Sequence, residues 1–227
     1  VRTDAAPSLP AALASRLPGL FLAFEGPDGS GKSTQLKRFT AACRHAGIDP
    51  LEVREPGGTE IGERIRDALL RHLEREDMTL RCEMLLYMAS RAQLCETLIR
   101  PALAAGRLVI ADRFVGSTLA YQGAAGGLPE PEILAAAAIA TAGLTPHLEL
   151  IFDVDERTAA ARMNPLLRGD ELDRMEAKGA AFHRRVRQGY HDQAARWPNR
   201  CVLIDARPDA DTVWHSLIST LTARLTT

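Results

Sequence analysis

The chain has 227 residues, 46% of them apolar and 25% charged, a size and composition suited to one domain with a substantial core. Its net charge of −1 offers no general attraction to nucleic-acid backbone or anionic lipid, so neither is expected as a partner. No apolar run nears the roughly 20 residues of a membrane-spanning helix, and the four scattered cysteines form no CxxC or Cys/His pattern, which predicts buried or partly buried free thiols in a reducing compartment.

Residues 1–19, VRTDAAPSLPAALASRLPG, mix alanine, proline and arginine without the apolar core of a signal peptide. They are expected to form a flexible arm on a cytosolic protein. Leu20–Phe24 reads as a buried strand ending at a glycine loop, with a helix from the loop's end to about His45. Pro50–Val53 predicts a second strand running into REPGGT (54–59). Helices follow at about 60–75 and 79–104, and Leu108–Ala111 is a third strand ending at Asp112-Arg113. The alanine run at 134–142 is helical, Leu148–Asp153 a strand, and a helix starts near Glu156. The polar stretch NPLLRGDELDR (164–174) precedes a long helix to about Arg196, then strand Cys201–Ile204 and helix Thr212–Leu225. Strands alternating with helices predict an α/β fold: a three-layer α/β/α domain over 20–227 with a five-stranded parallel sheet.

Gly26-Pro27-Asp28-Gly29-Ser30-Gly31-Lys32-Ser33 matches G-x-x-x-x-G-K-[ST] between a strand and a helix, the setting of a P-loop NTPase. Glycines allow backbone N–H groups to face an anion at a helix N-terminus. Lys32 would reach the β- and γ-phosphates and Ser33 would hold Mg²⁺, so residues 26–33 with Thr34 are the candidate ATP-binding segment. A chance glycine turn is the bland alternative. The guanine-reading NKxD of GTPases is absent. Instead, arginines recur near strand ends: Arg54, Arg113 beside Asp112, and Arg162, Arg168 and Arg174 around the polar stretch. Two phosphorylated substrates need such cations to approach each other, and Asp112 could serve Mg²⁺ through water. Any one of these arginines, taken alone, is better read as a solvated surface residue.

With these residues assembled, the sequence resembles the thymidylate kinase family, in FEGPDGSGKSTQ (24–35), REPGGT (54–59), SRAQLCETLIRPAL (90–103), DRFVGSTLAYQG (112–123), ELDRME (171–176) and FHRRVRQGY (182–190). The resemblance implies transfer of a phosphoryl group from MgATP to dTMP, with ATP as co-substrate, Mg²⁺ as cofactor and a homodimer as the assembly. It implies that Arg54 and Arg113 hold the dTMP phosphate, that Asp28 faces the acceptor, and that Tyr87 and Arg91 stack on and bond the base. Ser117, Thr118 and Gln122 complete the acceptor site, and Tyr121 crowds the sugar's 2′ position. Lys32, Asp28, Arg113 and a lid arginine form the catalytic set. The phosphate loop holds no arginine, so Arg168 in the lid is the expected cation, with Arg162, also placed at ATP, and Arg174 as alternatives. Tyr87, on an apolar helix where the family usually has phenylalanine, could equally be core. Two rivals are another P-loop nucleoside or nucleotide kinase and a non-catalytic nucleotide-binding protein.

Overall fold

Strand β1 (Phe21–Glu25) is buried along its whole length, because its alternate side chains enter two different cores. Phe21 and Ala23 join Val53, Leu94, Ile99, Val109 and Phe114, whereas Leu22 and Phe24 join Leu36, Phe39, Leu150, Phe152 and Leu217 on the opposite face. The computed structural model describes residues 8–71, 77–163, 175 and 178–226. Beside β1 lie β2 (Leu51–Arg54), β3 (Val109–Asp112), β4 (Leu148–Asp153) and β5 (Cys201–Asp205), in the order β2-β3-β1-β4-β5. Every pairing is parallel, as expected from the alternation of strands and helices.

One face of the sheet is covered by α1 (Ala11–Ala14), α2 (Lys32–His45) and the last helix, α10 (Ala210–Leu225). The other carries α4 (Leu80–Leu94), its π-helical continuation Cys95–Ile99 and α5 (Arg100–Ala104). It also carries α6 (Val115–Thr118), which leads into a second π-helical segment, Leu119–Ala125, packed against α9 (Ala180–Arg196). Three further helices are α3 (Glu60–Leu70), α7 (Glu130–Thr141) and α8 (Glu156–Arg162). The layers are those of a three-layer α/β/α fold. No helix among the described residues is long and apolar enough to cross a membrane.

The structure differs from expectation at several places. Part of the arm is not loose: Leu13 and Leu17 are fully buried beside Trp214 and Leu221, with Leu9 packed against the same core. Leu9, Leu13 and Leu17 recur every four residues, one helical stripe that the surrounding prolines obscured. The helix expected over 79–104 is broken by its π-helical turn, a feature without a periodicity signal. The alanine-rich helix begins at Glu130, where Pro131 occupies its first turn. Cys43, Cys95 and Cys201 are buried free thiols, but Cys82 is exposed.

Candidate active site

The strand ends bring the chemistry together. Register aligns Phe24 and Arg54 with Asp112, and Asp153 with Asp205, so Glu25, Arg54, Asp112, Asp153 and Asp205 finish their strands along one edge. Ligands of open α/β sheets sit at this carboxyl edge, where strand order reverses. Here the reversal falls at β1, which lies between β3 and β4. The loop after β1 must pass close to β4: Gly26 has φ +140°, and a Cβ there would lie 2.6 Å from the Phe152 carbonyl oxygen. Only glycine meets both demands.

Lys32 opens α2, is buried, and its ammonium touches the Asp112 carboxylate. Burial, with Arg113 nearby, pushes its pKa down from that of an ordinary lysine, against the pull of Asp28 and Glu25. Two cavities flank this point. One, of about 540 Å³, is lined by Pro27–Gln35, Arg162 and the turn Ala206–Ala210. The other, of about 400 Å³, is lined by Arg54, Tyr87, Arg91, Thr118, Tyr121 and Gln122, among others. Asp28, Lys32, Ser33 and Arg113 line both.

Arg113 is the hub of the shared wall. It is a non-glycine residue at φ 73°, a costly backbone state that surrounding contacts must enforce. Its Nη1 donates to Gly26 O (3.0 Å), Ser117 Oγ (3.1 Å) and Tyr190 Oη (3.4 Å), and its Nη2 pairs with Asp28 and reaches Tyr121 Oη (3.4 Å). Tyr121 donates to the other Asp28 oxygen at 2.7 Å. Burial alone would raise the Asp28 pKa, but Arg113, the Tyr121 hydroxyl and Lys32 together hold it below the usual value. Burial keeps the Tyr121 and Tyr190 phenols far above theirs, as neutral donors.

Beneath Arg113 lies Glu25, fully buried. One of its oxygens accepts from the Phe114 and Ser117 N–H groups (2.7 and 3.2 Å), the other from the Ser117 and Tyr190 hydroxyls (2.6 and 3.1 Å). A second buried carboxyl, Glu149, meets Arg200 at 3.1 Å. Burial and Glu25 push its pKa up to about 7 against Arg200. A Cβ on Gly116 would stand 2.7 Å from Glu149 Oε2 and 3.0 Å from Glu25 Oε1, so both carboxyls pack against a residue with no room for a side chain.

The floor of the second cavity is also ionic. Arg91 is 1% exposed and bonds Glu55 (2.6 Å at the closest), the Phe114 carbonyl (3.0 Å) and Thr118 Oγ1 (3.1 Å). Burial pushes Glu55 up to about 7 against the attraction of Arg91. Gln122 Nε2 donates to buried Glu83 at 2.7 Å. Arg54 pairs at 2.7 Å with Glu63, whose carboxylate also takes the Gly58 N–H, fixing REPGGT to the start of α3.

A family profile for thymidylate kinase matches residues 24–217. The chain belongs to the thymidylate kinase family. Among relatives bearing that name, one from Exiguobacterium sp. is 42% identical over 207 residues, covering 91% of this chain and 96% of the relative. One from Pseudomonas fluorescens is 46% identical (89% and 95% covered), and one from Deinococcus radiodurans 45% identical (84% and 91% covered).

The thymidylate kinase fold of this chain thus gathers the expected residues around the paired cavities, save Gly26, which lines neither, and those outside the described residues. Arg168, the expected catalytic lid cation, and its alternative Arg174 lie there, as does the 164–174 segment. Arg162 lines the first cavity, and its guanidinium donates to the carbonyls of Ala206, Arg207 and Pro208 (2.9–3.2 Å). Tyr87, for which core packing was the alternative, is half-buried and lines the second cavity. Ser33 and Asp112, the expected Mg²⁺ residues, both line that cavity too. A hydroxyl and a carboxylate suit a hard cation whose remaining ligands come from phosphates and water. Sequence reasoning missed Glu25, Glu55, Glu83, Glu149, Tyr190 and Arg66. Glu25, Glu83 and Glu149 carried a signal, because a glutamate inside an apolar strand or helix implies a buried partner; Glu55, in the REPGGT loop, carried none.

Proposed function

We propose that this protein transfers the γ-phosphoryl group of MgATP to dTMP, forming dTDP and ADP. The observation that carries this reading is the common wall, Asp28, Lys32, Ser33 and Arg113, between two cavities of nucleotide size. ATP occupies the phosphate-loop cavity, with Arg162 and the Ala206–Ala210 turn around its base. dTMP occupies the other, its phosphate held by Arg54 and Arg113 and its base beside Tyr87, Arg91, Thr118 and Gln122.

In the reaction a dTMP phosphate oxygen attacks the γ-phosphorus, a new P–O bond forms, and the bond to the β,γ-bridging oxygen breaks, leaving ADP with the electron pair. The nucleophile is already ionised at neutral pH, so no general base is needed. Lys32 and Arg113 neutralise the equatorial and acceptor oxygens, and Asp28 fixes Arg113. Mg²⁺, held by Ser33 and by Asp112 through water, would screen the triphosphate charge. Arg168 would supply the further cation. A cytosolic homodimer belongs to the same reading. The dimer's support is the exposed Ile61, Leu85 and Ile139 on α3, α4 and α7, of which α4 packs against both others.

The test is dTDP formation by purified protein with MgATP, compared across dTMP, dUMP, dCMP, dGMP and thymidine. Preference for thymidine over dTMP would sink the proposal, as would binding of both nucleotides without dTDP. Sedimentation velocity tests the dimer, and a monomer at all accessible concentrations would refute it.

A further inference from the structure

Helix α4 places Glu83, Tyr87 and Arg91 at successive four-residue steps on one face. Tyr87 and Arg91 line the acceptor cavity, and Glu83 stands behind Gln122, which also lines it. Glu83 and Gln122 are 1% and 2% exposed, and 2.7 Å separates Glu83 Oε1 from Gln122 Nε2. The Lys178 ammonium lies 3.7 Å from the same carboxylate oxygen, a counter-charge for a buried anion. An ionised carboxylate only accepts hydrogen bonds, so just one end of a primary amide can face it. Glu83 therefore captures the NH₂ of Gln122 and leaves the amide oxygen for the cavity. Alongside it, Arg91 supplies N–H donors, already directed to Thr118 Oγ1 and the Phe114 carbonyl at the cavity floor.

We propose that Glu83 is a positioning residue for base selection: by holding the Gln122 amide it presents an acceptor to the N3–H of an imide base, thymine or uracil. Cytosine offers a lone pair at N3 and a donor at its exocyclic nitrogen, the reverse pattern, so it meets acceptor against acceptor. This inference rests on the reading that the second cavity takes a nucleoside monophosphate. A neutral glutamine at position 83 can face Gln122 with either end, which releases the amide to turn over. Discrimination built from a fixed hydrogen-bonding group is lost when the group can reorient.

The test is equilibrium binding of dTMP and dCMP to the full chain by calorimetry, for wild type, E83Q, E83L, Q122L and E83L/Q122L. The ratio of the dCMP to the dTMP dissociation constant should fall about tenfold in both Glu83 variants, with ATP affinity unchanged. E83L should add nothing to Q122L, because both act through one oxygen. Thermal melting checks folding, and the size-matched E83Q carries the test if E83L unfolds. A wild-type ratio in folded E83Q, or additive losses in the double variant, would overturn the proposal. Turnover is read separately: a wild type that binds dTMP selectively but forms no dTDP refutes the kinase reading alone.

Discussion

Glu25→Gln exchanges one atom and tests how the acceptor side is supported. Four donors converge on this carboxylate, two backbone N–H groups and two hydroxyls. Glutamine has one oxygen to offer them. The N–H groups of Phe114 and Ser117 cannot reverse, so the amide oxygen must serve them and the NH₂ must face Ser117 and Tyr190. Those hydroxyls can rotate to accept from it as well as from Arg113, but their own protons then lose the carboxylate acceptor. Two hydrogen bonds to a charged group are lost, gross about 1.5–3 kcal/mol each, partly offset by removing a buried charge. The net cost is about 2–3 kcal/mol of stability. The hydroxyls that hold Arg113 on one side are re-aimed, and a misplaced guanidinium should lower kcat/KM for dTMP by about 10–100-fold. The KM for ATP should stay within about twofold, since Arg113 keeps its bonds to Gly26 and Asp28 of the phosphate loop. Steady-state assays varying dTMP at saturating MgATP, with urea unfolding in parallel, measure both quantities. Wild-type stability together with wild-type kcat/KM, or a defect confined to ATP, would refute the argument.

Glu149 makes stability depend on pH with a definite sign. Its pKa is raised from 4.5 to about 7 in the fold, so its contribution is full below 4.5 and is lost as pH rises through 7. Relative to wild type, E149Q should gain stability between pH 5 and pH 8, by at most about 3 kcal/mol; a difference that does not vary with pH contradicts this. The groups facing Glu149 are Glu25, Arg200 and Arg91. Leu17→Ala, at a fully buried position, should cost about 2–5 kcal/mol by denaturant titration, whereas a loss below about 1 kcal/mol would return this segment to the status of a loose arm. Lys32→Met should lower kcat about 10²-fold or more with the fold intact by melting temperature, and turnover within tenfold of wild type would remove Lys32 from the mechanism.

Local pattern made much of the molecule legible. β4 is found over its expected residues, and the phosphate loop, Asp112-Arg113 and the arginines at strand ends are recognisable because each is a short motif beside an apolar run. What stayed hidden depends on distance. Glu25 and Tyr190 are 165 residues apart, and no spacing rule joins them. Glu25 read only as the end of FLAFE, and Glu149 only as a polar interruption in LELIFD, because strand patterns register faces and not partners. The π-helical segments at 95–99 and 119–125 add a residue to a turn without changing composition. The arm misled for another reason: prolines, which speak for loose chain, outweighed a stripe of three leucines.

The common wall is internally neutralised: Lys32 touches Asp112, and Arg113 touches Asp28. An arriving phosphate therefore does not meet a bare cation; it joins one that a carboxylate already holds in place. Such pairs have little pull beyond contact distance, since paired opposite charges nearly cancel a few ångströms away. With a chain charge of only −1, nucleotide capture is governed by ordinary diffusion and fit. Its rate should vary weakly with ionic strength, unlike that of enzymes that draw their substrates in with an open field. Selectivity then arises after encounter, in how base and phosphate fit groups that their own partners already hold in place.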